Sequence, residues 1–549
     1  MTCVQGEIAV QAGQWQLFLD DHAVARSTGL DRVVHHPRAL GVVIPADQPW
    51  ETVGVAPVHI DRREDGSFFA CYSAMWWDIE AAKALPEGRD RAHQMFQRIA
   101  WATSEDGLHW RKPHLGLVES PAAADWNRHA PYPSPVGTTR QNNLGAPFAW
   151  IADLGRWGNV RDPARRYALR LTPEQEGPVG VGSNWRYAPR GYFAAELPDF
   201  LHDPNWRDKL VDSGSHFDPR RHLLHFWDEL HQEWVAMEQG VIPHWLPSRE
   251  VGRFASQDLV HWTSQAALYP DAADPHLPSC YDEPMGLTPF CAEGVVFGLL
   301  SWFHSDRTHP EGGPNLTASP EHPHVWPFCR KGTNELRIAL SRDGGRTWDR
   351  TSSRQAWIPH GTEEDSCDRL VIGALPPLRV GDEDWFYISV INGDHLGVRN
   401  NPEQSPYYRD RLPRHQIALY VQKHHRYVSL KARNQQEVLI TKPLEVTGDA
   451  LQLNVDAARG RVRVGIASAD PVPTFGGSTL STAPHLLENN LLPGFSFDDC
   501  LPVHANSVEH AVQFKDGANL GSLRGRSACL FFQMIDADLY GFRLAENKV

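Results

Sequence analysis

Ser104-Glu-Asp106-Gly-Leu-His-Trp110, Ser256-Gln-Asp258-Leu-Val-His-Trp262 and Ser341-Arg-Asp343-Gly-Gly-Arg-Thr-Trp348 are three copies of one pattern. Each reads as a strand ending in serine, an Asp-led tight turn, and a tryptophan opening the next strand. An aspartate in such a turn bonds the backbone that follows it, and the indole fills the space between neighbouring sheets. Pro198-Asp199 with Trp206 is a degenerate fourth copy. The surrounding segments are short, rich in β-branched and aromatic residues, and punctuated by Gly, Pro and Asp, as in Val55-Ala-Pro-Val-His-Ile60, Ser67-Phe-Phe-Ala-Cys-Tyr72 and Trp385-Phe-Tyr-Ile-Ser-Val390. These are strand signals, and helical periodicity is scarce.

A turn that recurs with its strands marks a repeat architecture. Asp-led turns of this kind are typical of β-propellers, and positions from about 45 to 415 give room for five blades of roughly 55–95 residues. The first and third strands of a blade run in the same direction and begin on the funnel face, where ligands bind. The Asp-led turns follow third strands, so they fall on the opposite rim and their acids read as structural. From about residue 416 the texture changes to closely spaced alternating strands, including Val428-Ser-Leu-Lys-Ala432, Val462-Arg-Val-Gly-Ile-Ala467 and Leu530-Phe-Phe-Gln-Met534. Such spacing suits a sandwich. The expected fold is all-β, with a five-bladed β-propeller and N-terminal extension over 1–415 and a C-terminal β-sandwich over 416–549.

Composition fits that expectation. Of 549 residues, 41% are apolar and 22% charged, enough apolar material for a large core. Trp 20, Tyr 13 and Phe 22 stand against Met 6, a profile that favours sheets and sugar-stacking surfaces. A net charge of −14 argues against nucleic-acid binding, and the longest basic cluster, Lys423-His424-His425-Arg426, reads as a solvated strand end. No apolar run reaches the roughly 18 residues of a membrane span. The N-terminus carries no secretory pattern, and the eight cysteines form no C-x-x-C pair. A cytoplasmic protein with reduced thiols is expected, without cofactor or metal.

The architecture resembles glycoside hydrolase family 32, with family 43 sharing the propeller, and a broader group of bacterial propeller glycosidases. The resembling segments are Leu17-Phe-Leu-Asp-Asp21, Pro49-Trp-Glu51, Trp110 through Glu119, Asn142-Asn143, Thr441-Lys-Pro-Leu444 and Gly494-Phe-Ser-Phe-Asp-Asp499. The resemblance implies a sugar-processing fold rather than a substrate. The Asn-Asp-Pro and Glu-Cys motifs of family 32 are missing. Arg161-Asp162-Pro163 is present, but it precedes a second strand and reads as a turn.

Glycoside hydrolysis needs two carboxyl groups flanking the scissile bond, one protonated and one ionised. Acids at the beginnings of first strands would point into one funnel. Glu51 in blade one, Asp212 in blade three, and Asp282 with Glu283 in blade four are therefore the catalytic candidates. Asp282 and Glu283 are adjacent, so only one can face the pocket. Asn142 and Asn143, placed in blade two, together with His216, Glu335 and Asp368, are candidates for sugar hydroxyls. Trp50, Trp77 and Trp302 are candidate stacking platforms. The insertion from His304 to His324 reads as a lid or subsite wall, with His304 a substrate contact. The expected function is an exo-acting glycoside hydrolase on a small oligosaccharide, without nucleic-acid or membrane partners and compatible with homo-oligomerisation. A lyase or sugar-modifying enzyme with a His/Tyr base, with or without a metal at the insertion, and a non-catalytic carbohydrate-binding propeller are the alternatives.

Overall fold

The computed structural model describes residues 8–52, 54–77, 95–122, 137–147, 149–158, 162–171, 190–195, 205, 208, 211–216, 225–239, 250–274, 276–277, 280–306, 332–352, 354–361, 370–391, 415–470, 472–473, 479–480, 484, 487 and 490–546. Those residues are nearly all strand and turn. No helix among them is long and apolar enough to cross a membrane.

Five antiparallel meanders follow one another along the chain. Blade one is Gly54–Arg62, Phe68–Trp77, Met95–Ser104 and the outer strand Leu144–Pro147. Blade two is Ala149–Asp153, Tyr167–Leu171, Arg190–Ala194 and Val211–His216. Blade three is His225–Asp228, Glu233–Gln239, Val251–Ser256 and Thr263–Leu268. Blade four is Cys280–Ala292, Val295–Asp306 and Gly332–Ser341, flanked by bridges at Asp349 and Ile358. Blade five is Leu370–Ala374, Glu383–Ile391 and His415–Lys423, and its outer strand is the N-terminal Arg38–Ile44.

A separate apolar cluster lies between each neighbouring pair. Val58, Phe69 and Trp101 meet Ile151 and Leu169 between blades one and two. Leu154 and Phe193 meet Trp234 between two and three. Phe226 and Met237 meet Leu287 and Trp302 between three and four. Phe297 and Leu336 meet Val371 and Phe386 between four and five. Ile417 and Tyr387 meet Ile60 and Phe68 between five and one, so the ring is closed. Burying each such side chain contributes about 1.5–3 kcal/mol, so five interfaces are the principal adhesive of the ring. At the closure His415 pairs with Gly54 in parallel. Gly54 has φ of +135°, and a Cβ there would lie 2.3 Å from the His415 amide nitrogen. Only glycine fits this approach.

The turn motifs behave as their chemistry requires. Asp106 Oδ1 accepts the amides of Leu108 and His109, and the Trp110 indole donates to the Gly107 carbonyl. Asp258 and Asp343 accept the corresponding amides after the third strands of blades three and four, and the Trp348 indole donates to the Gly345 carbonyl. Asp162 caps the short turn Pro163–Arg165 by accepting the Ala164 amide.

Two larger sheets lie outside the blades. One contains Asp31–Val34, Val428–Ala432, Ala537–Ala545, Ala450–Asp456 and Asn506–Ala511; Gln16–Leu17 also pairs with Ala537–Ala545. The other contains Val24–Thr28, Glu437–Thr441, Ser527–Ile535, Leu444–Glu445 and Arg461–Ser468. Leu453, Leu539 and Phe542 of the first share one core with Leu439, Val464 and Phe532 of the second. Three strands from the N-terminal segment thus belong to these sheets before the first blade begins.

Candidate functional site

In blade four Asp282 lies near the beginning of the first strand, His304 near the end of the second and Glu335 near the beginning of the third. Antiparallel pairing brings these three strand ends to one rim, the funnel side. Asp282 stands opposite His304, and Trp302 opposite Glu335, so all four share the sheet face that packs towards blade three. His304 Nδ1 is 2.9 Å from Asp282 Oδ2, and Nε2 is 3.2 Å from Glu335 Oε2. Arg337, two residues along the strand, donates from Nε to Glu335 Oε1 at 2.6 Å.

Burial alone would favour neutral His304. The hydrogen bonds and charges of Asp282 and Glu335 outweigh it, and the pKa is pushed up to about 9. Glu335 is held below its ordinary value: burial opposes ionisation, but His304 and Arg337 overcome it. At neutral pH the ring is therefore an imidazolium donating from both nitrogens, which suits a fixed positive bridge and not a proton acceptor. It also fills the gap between the two carboxylates, so each must work on a ligand with a third group.

Behind this bridge sits Trp302. Its indole nitrogen donates to Asp282 Oδ2 at 3.3 Å, and the guanidiniums of Arg337 and Arg350 lie over its ring at 4.6 and 4.4 Å. The ring is 0% exposed, so it props Asp282 and offers no face for sugar stacking. His304 keeps 27% of its side chain exposed and is the surface of the cluster.

No protein-family model matches the chain, and no curated protein does. Among solved structures it is similar to a glycoside hydrolase at 13% identity, covering 71% of this chain and 92% of that one, with a TM-score of 0.38. It is similar to the β-1,2-mannobiose phosphorylase from Listeria innocua at 11% identity, over 71% of this chain and 90% of that one, TM-score 0.35. A glycosyl hydrolase from Bacteroides ovatus shares 13% identity over 74% and 96%, TM-score 0.36.

Glu51, Trp50, Asn143 and Tyr72 form a second network, under the beginning of blade one. The Trp50 indole donates to Asn143 Oδ1 at 3.0 Å, Asn143 donates to the Tyr72 oxygen at 2.6 Å, and Tyr72 donates to Glu51 Oε1 at 2.8 Å. Lys112 Nζ reaches Glu51 Oε2 and Asp47 Oδ1, both at 2.7 Å. Glu51 also closes a capping box on the turn Pro49–Glu51 and is 0% exposed. Its pKa is raised because burial outweighs Lys112. Every group in this network bonds to the chain itself, and Trp50 is buried.

The placement of three residues differs from the sequence reading. Asn142 and Asn143 open the outer strand of blade one and not the first strand of blade two. Asn142 staples a loop, donating to the carbonyls of Val118 and Thr139 and to Ser120 Oγ. Asp212 lies on the outer strand of blade two, opposite Tyr192, rather than on a first strand of blade three. It is exposed at the end away from the funnel, whereas His216 closes the same strand opposite Arg190. Outer and first strands have the same composition, and which neighbour a strand pairs with is a long-range choice. Glu283 is buried and points to the opposite face from Asp282. Trp77 ends the second strand of blade one, and its side chain lies outside the described residues, as do the side chain of His216 and all of Asp368.

Two residues were not anticipated. Arg337 could have been found from Glu335-x-Arg337, since alternate residues of a strand share a face. Glu250 immediately precedes the third strand of blade three, on the funnel side. It is buried, its pKa is raised by burial, and Oε2 has no hydrogen-bond partner among the described residues.

Proposed function

We propose that the chain is a glycoside hydrolase whose catalytic centre is the funnel end of blades three and four. Asp282 and Glu335 supply the carboxyl groups held by His304, and Glu250, whose pKa burial raises, supplies the acid. The observation that carries this reading is the opposite perturbation of two carboxyl groups on neighbouring blades: burial raises Glu250 while His304 and Arg337 hold Glu335 down. That division of labour is what acid-assisted glycoside cleavage requires. Glu250 would protonate the leaving oxygen, Asp282 would activate water or stabilise the oxocarbenium ion, and the His304–Arg337 pair would fix the carboxylates and meet sugar hydroxyls. A funnel suits a chain end, which favours exo action on small oligosaccharides by a cytoplasmic enzyme.

The test is a screen of aryl glycosides with wild type, Glu250→Gln and Asp282→Asn, each with and without inorganic phosphate. Release of aglycone without phosphate, reduced about 100-fold or more in both variants, supports the proposal. Undiminished turnover in both variants would place the chemistry elsewhere, and turnover only with phosphate would make the reaction phosphorolysis. The reading with a histidine base is disfavoured by His304 itself, which holds its proton up to about pH 9.

A further inference from the structure

The run Lys423-His424-His425-Arg426 is not the solvated strand end its charge suggested. It follows the last strand of blade five on the rim opposite the funnel, where the two C-terminal sheets dock. Arg426 is buried and bonds Asn454 Oδ1 and the Val455 carbonyl. His425 has φ of 57° and is 3% exposed. The rings of His424 and His425 lie against each other with centroids 3.6 Å apart. His424 Nδ1 is 2.8 Å from Asp384 Oδ1, on blade five, and His425 Nε2 is 2.9 Å from Glu293 Oε1, on the turn of blade four. Glu293 Oε2 accepts the Trp15 amide at 2.7 Å. His425 Nδ1 is buried and has no hydrogen-bond partner among the described residues.

We propose that Glu293, His424 and His425 bind a divalent transition-metal ion of the zinc type, which clips blades four and five to the C-terminal sheets. One ligand atom from each lies within 4.8 Å of the others. Two imidazoles and a carboxylate are a common zinc donor set, with water completing four-coordination. Rings this close repel if both are protonated, whereas a shared cation requires both neutral. Asp384 Oδ1, behind His424, accepts a hydrogen bond from Nδ1–H and leaves the Nε2 lone pair available, the usual carboxylate–histidine–metal arrangement. In His425 the ligand nitrogen is Nε2, 2.9 Å from Glu293 Oε1, so the ion would take the place of the proton that this pair shares, and the ring proton would lie on Nδ1. His424, with 24% of its side chain exposed, gives the ion a route in.

Two other His/carboxylate groups fit a metal less well. At Asp228, His231 and Glu233, Arg253 already bonds both carboxylates. At His59, Asp61 and Asp153, Arg156 lies 3.7 Å from Asp61 and Arg166 3.5 Å from Asp153. Arg543 acts on Glu293 through its charge, but its own bonds go to Gln452 and Glu509.

The test uses the full chain stripped with a chelator and titrated with zinc ion alone, followed by calorimetry and metal analysis after desalting. One zinc per chain is expected, with a raised thermal midpoint. Affinity should fall at least about tenfold in His424→Gln and in Glu293→Gln. Failure of the wild type to retain stoichiometric zinc, or unchanged affinity in both variants, overturns the proposal. Cobalt(II) added to the wild type gives a reading that needs no variant. Ligand-field bands of a four-coordinate nitrogen/oxygen site support the assignment, and bands of the hydrated ion alone contradict it.

Discussion

His304 offers the sharpest quantitative test of the blade-four cluster. Its ordinary pKa of 6.5 rises to about 9 because Asp282 and Glu335 each accept one ring proton, against a burial effect of opposite sign. At 1.36 kcal/mol per unit, the rise corresponds to about 3 kcal/mol in favour of the folded, protonated state. The group binds its proton more tightly folded than unfolded. Its contribution is therefore complete below about pH 6.5 and is lost as pH climbs through about 9. The direct assay is carbon-13 NMR of histidine-labelled protein, with His304→Gln identifying the resonance by difference. A midpoint near 9 is expected in the wild type. Glu335→Gln removes one of the two negative charges that hold the proton and should lower the midpoint by roughly one unit or more. Unfolding free energy should fall between pH 6.5 and 9 more steeply in wild type than in His304→Gln, by an amount on the order of 3 kcal/mol. A wild-type midpoint at or below 6.5 would refute the clamp, because burial alone would then be deciding the protonation state.

Two further outcomes test the scaffold. Lys112→Met removes the cation from Glu51 while leaving a buried carboxyl behind; it should cost about 3–5 kcal/mol in chemical denaturation, and Glu51→Gln clearly less, since burial already disfavours that charge. Gly54→Ala should cost at least about 2 kcal/mol by the same measurement, because a Cβ collides with the His415 backbone where blade five meets blade one; an unchanged midpoint would mean that this approach is not tight.

The fold was largely legible because its decisive signals are local. Ser104, Asp106 and Trp110 all find their partners within seven residues, so three copies announce blades without any knowledge of pairing. Blade register was not legible in the same way. Asn142 and Asp212 lie on outer strands that lead directly into the next blade, and nothing in a short β-branched segment tells an outer strand from a first one. The N-terminal strand Arg38–Ile44 shows the same limit, since its partner His415–Lys423 lies hundreds of residues away. In blade four, Asp282, His304 and Glu335 were each identifiable from their positions at strand ends. Their mutual hydrogen bonds depend on cross-strand register, which periodicity does not encode. The tryptophans divide similarly: Trp110 and Trp348 serve their turns as read, whereas Trp50 and Trp302 are sealed in the core. The basic run at 423–426 misled because a left-handed residue, His425, folds it inward.

The most direct test of the central claim is a crystal structure of the full chain with a sugar found active in the glycoside screen. That sugar is expected at the funnel end of blade four, with hydroxyls or the glycosidic oxygen within hydrogen-bond reach of Asp282, His304 and Glu250. A well-ordered sugar bound elsewhere, with these three side chains contacting only water, would contradict it.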